Sequence, residues 1–170
     1  MRELTFDDLL QQFHLLRSDP QRYLALSEEF IQQHPDDPDG YLSRHWAWGR
    51  LGRHDLALAD LNKALGLEQN PVSFQERGMV LRQLGEYRKA IDDFDRSDAL
   101  DAKGFVDSWG PLFRADCHAR LGNEEAALAD CARLADDHWT PGIHGSPAGN
   151  KLEVIAEIRR RAVAARRGSG

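Results

Sequence analysis

The sequence predicts an all-α protein assembled as a helical-hairpin repeat array, about three repeats flanked by a degenerate N-terminal hairpin and a C-terminal capping helix. The first observation behind this is a pattern met three times: a Leu-Gly pair, Ala five residues after the glycine, then Asp. It reads Leu51-Gly52, Ala57, Asp60, then Leu84-Gly85, Ala90, Asp93, then Leu121-Gly122, Ala127, Asp130. The second is the period, since the glycines lie 33 and 37 residues apart, the length of a helix-turn-helix unit. The third is helical apolar spacing on either side of each pair. One hairpin alone cannot bury both its faces, and stacked neighbours do that for each other.

Taken in order, Phe6 to Arg17 and Pro20 to Gln33 each carry helical spacing. Phe6, Leu9, Leu10, Phe13 and Leu16 mark the first, and Tyr23, Leu24, Leu26, Phe30 and Ile31 the second. Pro20 after Ser18-Asp19 opens the second helix, because its missing N–H is not needed there. Residues 1–37 thus have a hairpin's length without the Leu-Gly pair, as expected of a terminal unit with one face toward water. Residues 38–134 hold the three repeats, and in each the glycine ends the first helix by taking the left-handed conformation at low cost. In the second repeat Gly78 and Ala90 let helices approach, while Leu81, Ile91 and Phe94 supply apolar bulk. Extra residues from Lys103 to Asp107 precede the third. Residues 135–150 form a loop, too rich in glycine and proline between His138 and Asn150 for regular structure. Residues 151–167 resume a helix, with Leu152, Ile155, Ile158, Ala162 and Val163 on one side and a basic end suited to a helix C-terminus. It reads as the cap of a single domain spanning 1–170; Gly168-Ser169-Gly170 carries no weight.

The repeats resemble the tetratricopeptide repeat (TPR), whose signature is W-x2-L-G-x2-Y, then A-x3-F, then P. The second unit matches at Phe74, Gly78, Leu81, Leu84-Gly85, Ala90 and Phe94. The first offers Tyr41, Trp48, Leu51-Gly52, Ala57, Leu61 and Ala64, with His45 where the family prefers a small residue, and the third Ala115, Leu121-Gly122, Ala127 and Cys131. This resemblance implies a TPR-like right-handed α-solenoid acting as a protein-binding adaptor. Many relatives grip the C-terminal carboxylates of chaperones with Lys and Asn on the concave face. Leu42 and Trp46 replace that polar pair here, a departure from that role.

Charge adds a second regularity. Each patterned Asp lies 16 residues after an arginine, giving Arg44/Asp60, Arg77/Asp93 and Arg114/Asp130, so each pair is expected to bridge the two helices of its hairpin. Stepping 100° per residue from His45 turns Leu42, Trp46, Gly49 and Arg50 toward the concave side. The equivalent positions are Gln75, Met79, Arg82 and Gln83, then Leu112, Asp116, Ala119 and Arg120. The expected partner-binding face is therefore Leu42, Trp46, Arg50, Met79, Arg82, Leu112 and Arg120, fitting an extended or helical segment with apolar side chains and some acidic groups. The alternative is a groove filled in cis, with Trp46 and Met79 covered by Trp139 and Ile143 of the loop, or by a second copy in a structural, self-associating protein. Trp139 and Ile143 are also a candidate loop site of their own.

Composition bounds the function. With 41% hydrophobic and 29% charged residues over 170 positions, this is an ordinary globular chain. Its net charge is −6, divided between a +4 tail over 151–170 and −10 over 1–150. A mostly acidic body disfavours nucleic acid. No stretch reaches membrane-span length and the N-terminus does not read as a signal peptide. Cys117 and Cys131 form no C-x-x-C pair, so reduced, buried thiols in a cytoplasmic protein are expected. His118, His138 and His144 lie near these cysteines without chelating spacing, so no metal is expected. Gly145 to Lys151 departs from a phosphate loop in glycine spacing and in Leu152 after the lysine, although the following helix N-terminus could accept an anion unless Asn150 caps it. Asp136-Asp137-His138 lacks a nucleophile. The reading is a non-enzymatic adaptor without cofactor, whose partner is a protein or peptide; homo-oligomerisation is left open.

Overall fold

The computed structural model describes residues 3–142 and 145–168. The chain divides into two compact units, one ending at Val80 and the other beginning at Leu81.

The first unit holds α1 (Phe6–Gln11), α2 (Leu15–Ser18), α3 (Pro20–Gln33), α4 (Pro38–Arg50), α5 (His54–Leu67) and most of α6 (Pro71–Gln83). Thr5 opens α1 through a capping box with Asp8, and Asp19 and Asp37 cap α3 and α4, each of which has proline in its first turn. The N-terminal segment differs from the single helix expected over Phe6 to Arg17. Gln12, Phe13 and Leu15 donate to carbonyls three residues back, and this turn separates α1 from α2. On one straight helix Leu9 and Leu16 share a face and Leu15 does not. With the turn, all three are buried, and Leu15 and Leu16 pack with Tyr23 and Ala47. A second cluster joins Leu42, Ala57, Leu61 and Val80. His45, at the expected small-residue site, is buried; its ring stacks near Trp46 with centroids 5.3 Å apart and its Nε2 lies 3.3 Å from Glu76 Oε2.

The second unit contains α7 (Tyr87–Leu100), α8 (Ala102–Asp107), α9 (Gly110–Arg120), α10 (Glu124–Ala132), β1 (Trp139–Pro141), β2 (Ala148–Asn150) and α11 (Lys151–Gly168). The extra residues ahead of the third repeat are α8, capped by Asp101. It drives Phe105 into the core beside Phe94, and a Cβ on Gly110 would lie 2.4 Å from the Phe105 ring, so glycine there makes room for the insertion. The expectation of irregular structure from His138 to Asn150 is corrected. β1 and β2 pair antiparallel, Trp139 opposite Asn150, Thr140 opposite Gly149 and Pro141 opposite Ala148. Gly142, Gly145 and, within β2, Gly149 have positive φ, a conformation glycine takes at low cost, and a two-stranded ribbon needs few of the N–H groups proline lacks.

All three Leu-Gly pairs end their helices alike. Gly52, Gly85 and Gly122 have φ of 73°, 80° and 77°, and the next residue donates five positions back, Arg53 to Trp48, Glu86 to Leu81 and Asn123 to His118. This is the Schellman geometry. The expected ties of the first and third hairpins form: Arg114 clasps Asp130 with Nη2 to Oδ1 at 2.6 Å and Nε to Oδ2 at 3.0 Å, and Arg44 does the same to Asp60. In the middle repeat Arg77 donates to Asn62 at 2.8 Å.

Candidate functional site

The expected groove residues meet different fates. In the first unit Leu42 is buried in the core. Trp46 is half-buried with its ring edge-on to Phe13, centroids 5.1 Å apart, so its cover is the N-terminal turn. Phe13, in the turn after α1, makes this contact while itself staying exposed. Arg50 is exposed, yet its Nε donates to the Leu16 carbonyl at 2.9 Å. Met79 keeps partial exposure.

In the second unit the predicted anchors lie inside. Leu112 sits in one core with Ala115, Ala119, Ala127, Cys131 and Leu134, closed by Val154, Ile158 and Ala162 of α11. Spacing on α11 accounts for this, since residues four apart fall on one face. Leu112 is therefore corrected from groove anchor to core residue, and α11 covers it. The side chains expected to grip a partner's acid grip one of this chain's own. Asp116, fully buried on α9, accepts from Arg82 Nη1 at 2.6 Å, from Arg120 Nε at 3.0 Å and from Arg161 Nη1 at 2.5 Å. Arg82 is buried as well and also lies over the Phe113 ring at 4.9 Å, which corrects it from contact residue to internal tie. Arg120 remains a third exposed, with Nη1 3.3 Å from the Tyr87 hydroxyl.

Arg161 is the residue that sequence reasoning missed. It stands 45 positions from Asp116 in a helix whose arginines read as a basic end suited to a helix C-terminus, and no local pattern distinguishes it from Arg160. It also donates to the Gly145 carbonyl at 3.0 Å and to Glu157 at 2.7 Å. Arg160 foremost, with Arg161, holds the Glu157 carboxyl down to about 2.

Trp139 stands out on β1 at 63% exposed, and Leu152, two residues beyond its strand partner Asn150, is 77% exposed. Ile143 and His144 lie outside the described residues. Asn150 caps α11, its Oδ1 accepting from Leu152 N at 3.0 Å and Glu153 N at 3.1 Å, so the amides considered for an anion are engaged. Burial pushes the Cys117 thiol up to about 12 and that of Cys131 to about 11. Burial lowers His118 and His138. Among the described residues no group of three or more His, Cys, Asp and Glu side chains is placed to hold a metal ion, and no helix is long and apolar enough to cross a membrane.

The repeated hairpins, their shared glycine stops and their helix-bridging Arg–Asp ties define a helical-repeat protein. Residues 73–103 match the tetratricopeptide repeat model, and the chain shares the fold of tetratricopeptide-repeat arrays. Similar solved structures include MamA from Desulfovibrio magneticus RS-1, with TM-score 0.68 and 16% identity over 96% of this chain and 94% of that one. TTC0263, a thermophilic TPR protein of Thermus thermophilus, gives TM-score 0.66 and 19% identity, covering 95% and 81%. YrrB, described as a TPR protein with an unusual peptide-binding site, gives 0.63 and 16%, covering 96% and 90%. The human Protein SGT1 homolog is 30% identical over 88 residues, 51% of this chain and 24% of that protein. The chain thus spans about a quarter of that relative's length.

Proposed function

We propose that the chain is a protein-interaction module that takes a peptide or protein segment, and that Trp139 with Leu152 forms its most accessible anchor. The observation carrying this is the exposure of those two large apolar side chains, 63% for Trp139 on β1 and 77% for Leu152 in the first turn of α11. Tryptophan is the type of residue that dominates interfaces, and helical repeats present surfaces rather than reaction centres. YrrB supports the reading as a neighbour in fold described as having a peptide-binding site. Of the concave-face set, Met79, Arg50 and Arg120 retain exposed surface and complete the proposal within their own units.

Affinity capture from the source organism's lysate tests it, using wild type, Trp139→Ala and Met79→Glu, each checked for helicity by circular dichroism. A partner held by wild type and lost with Trp139→Ala is the expected result. Equal capture by wild type and both variants refutes these anchors. A second reading, a structural repeat protein whose groove is filled in cis, is favoured by α11 seated on Leu112, Ala115 and Ala119. It predicts that wild type captures nothing.

A further inference from the structure

The face that α11 covers holds a buried charge with partners of its own. Its centre is Asp116, a fully buried carboxylate that would be costly to leave unpaired. Yet Arg161 is the third guanidinium on that carboxylate, and the other two, Arg82 at 2.6 Å and Arg120 at 3.0 Å, come from outside α11. The rest of α11's hold is an apolar stripe, Val154, Ile158 and Ala162 with Ile155 beside it, a bond from Lys151 Nζ to the Leu134 carbonyl at 2.7 Å, and ion pairs that each have a solvent-exposed member. These are Lys151 with Asp136 and Arg166 with Glu124, a type that contributes little. The opposite face of α11 is exposed at Leu152, Arg159, Arg160 and Val163, so within this unit the helix is held from one side.

We propose that the α9–α10 face beneath α11 is a docking site for an amphipathic helix of a partner protein, and that α11 occupies it in the unbound state as a displaceable plug. The chemistry of the occupant is read from α11 itself: a β-branched residue, then a bulky apolar one and then a small one at i, i+4 and i+8, with arginine at i+7 to replace Arg161 on Asp116. This deepens the reading of the chain as a protein-interaction module and rests on it.

Two measurements on the full chain test the proposal. In wild type, hydrogen exchange followed by mass spectrometry should show the α11 amides opening together before those of α9 and α10. The second probe is a fluorescent synthetic peptide of residues 150–168, titrated into wild type and into Arg161→Glu, which loosens the plug in cis. Freed from intramolecular competition, the variant should bind the peptide at least about tenfold more tightly than wild type, and a peptide carrying Arg161→Glu should not bind. Exchange of α11 only together with α9 overturns the proposal, and does so even if the variant fails to fold. Early opening without tighter peptide binding by a folded variant overturns it too. A fixed α11 alongside Trp139-dependent capture would remove this docking site and leave the interaction-module reading standing.

Discussion

Arg44 and Asp60 form a two-pronged ion pair across the first hairpin, with Nη2 to Oδ1 at 2.6 Å and Nε to Oδ2 at 2.8 Å. The carboxylate end is buried and the guanidinium partly so, and the fork matches the planar carboxylate. A double-mutant cycle in alanine, read by urea unfolding, should give a coupling of about 0.5–3 kcal/mol, the range for contacting residues. Arg53 and Asp55 have the same fork at 3.1 and 3.0 Å but stand in solvent. Their cycle should show no measurable coupling, and equal coupling in both pairs would rule out burial as the source of strength.

Asp116→Ala should be the most damaging single change in the second unit. It strips the shared carboxylate from three arginines, of which Arg82 is itself buried. Breaking a buried pair from one side costs about 3–5 kcal/mol, so the urea midpoint should fall sharply. Arg161→Ala leaves the other two in place and should cost much less.

Acid should loosen α11 through Glu157. Its folded value of about 2 lies below the ordinary 4.5 because Arg160, then Arg161, stabilise the carboxylate. A group depressed by folding contributes fully above its unfolded value, and that contribution is lost as pH falls. The difference in stability between wild type and Glu157→Gln should therefore be constant above about pH 5 and shrink toward pH 2. A difference that does not change with pH would refute the assignment.

The two thiols should be nearly silent in the native state. With Cys117 raised to about 12 and Cys131 to about 11 by burial, almost no thiolate exists at neutral pH. A colorimetric thiol assay should detect neither cysteine rapidly in the folded protein, Cys131 reacting only at the slow rate at which α11 opens, and both at once in denaturant. Fast reaction of either in the folded protein would show that its cover opens readily.

What the sequence determined by itself was local or periodic. The Leu-Gly stops were legible because only glycine sits easily at φ near 75°. The Arg–Asp ties of the first and third hairpins were legible because a fixed 16-residue spacing places both side chains across one turn. Asn150, the candidate cap, does cap α11. What the tertiary structure alone decided is which face of each helix stays open. Helical geometry put Leu112 and Arg82 on a groove, and nothing near them in sequence says that α11 comes back to cover Leu112 or that Arg161 joins Arg82 on Asp116. The contact of Phe13, in the turn after α1, with Trp46 is of the same kind. Apolar burial is non-directional, so a stripe of Val154, Ile158 and Ala162 states that it needs a partner surface without naming which one.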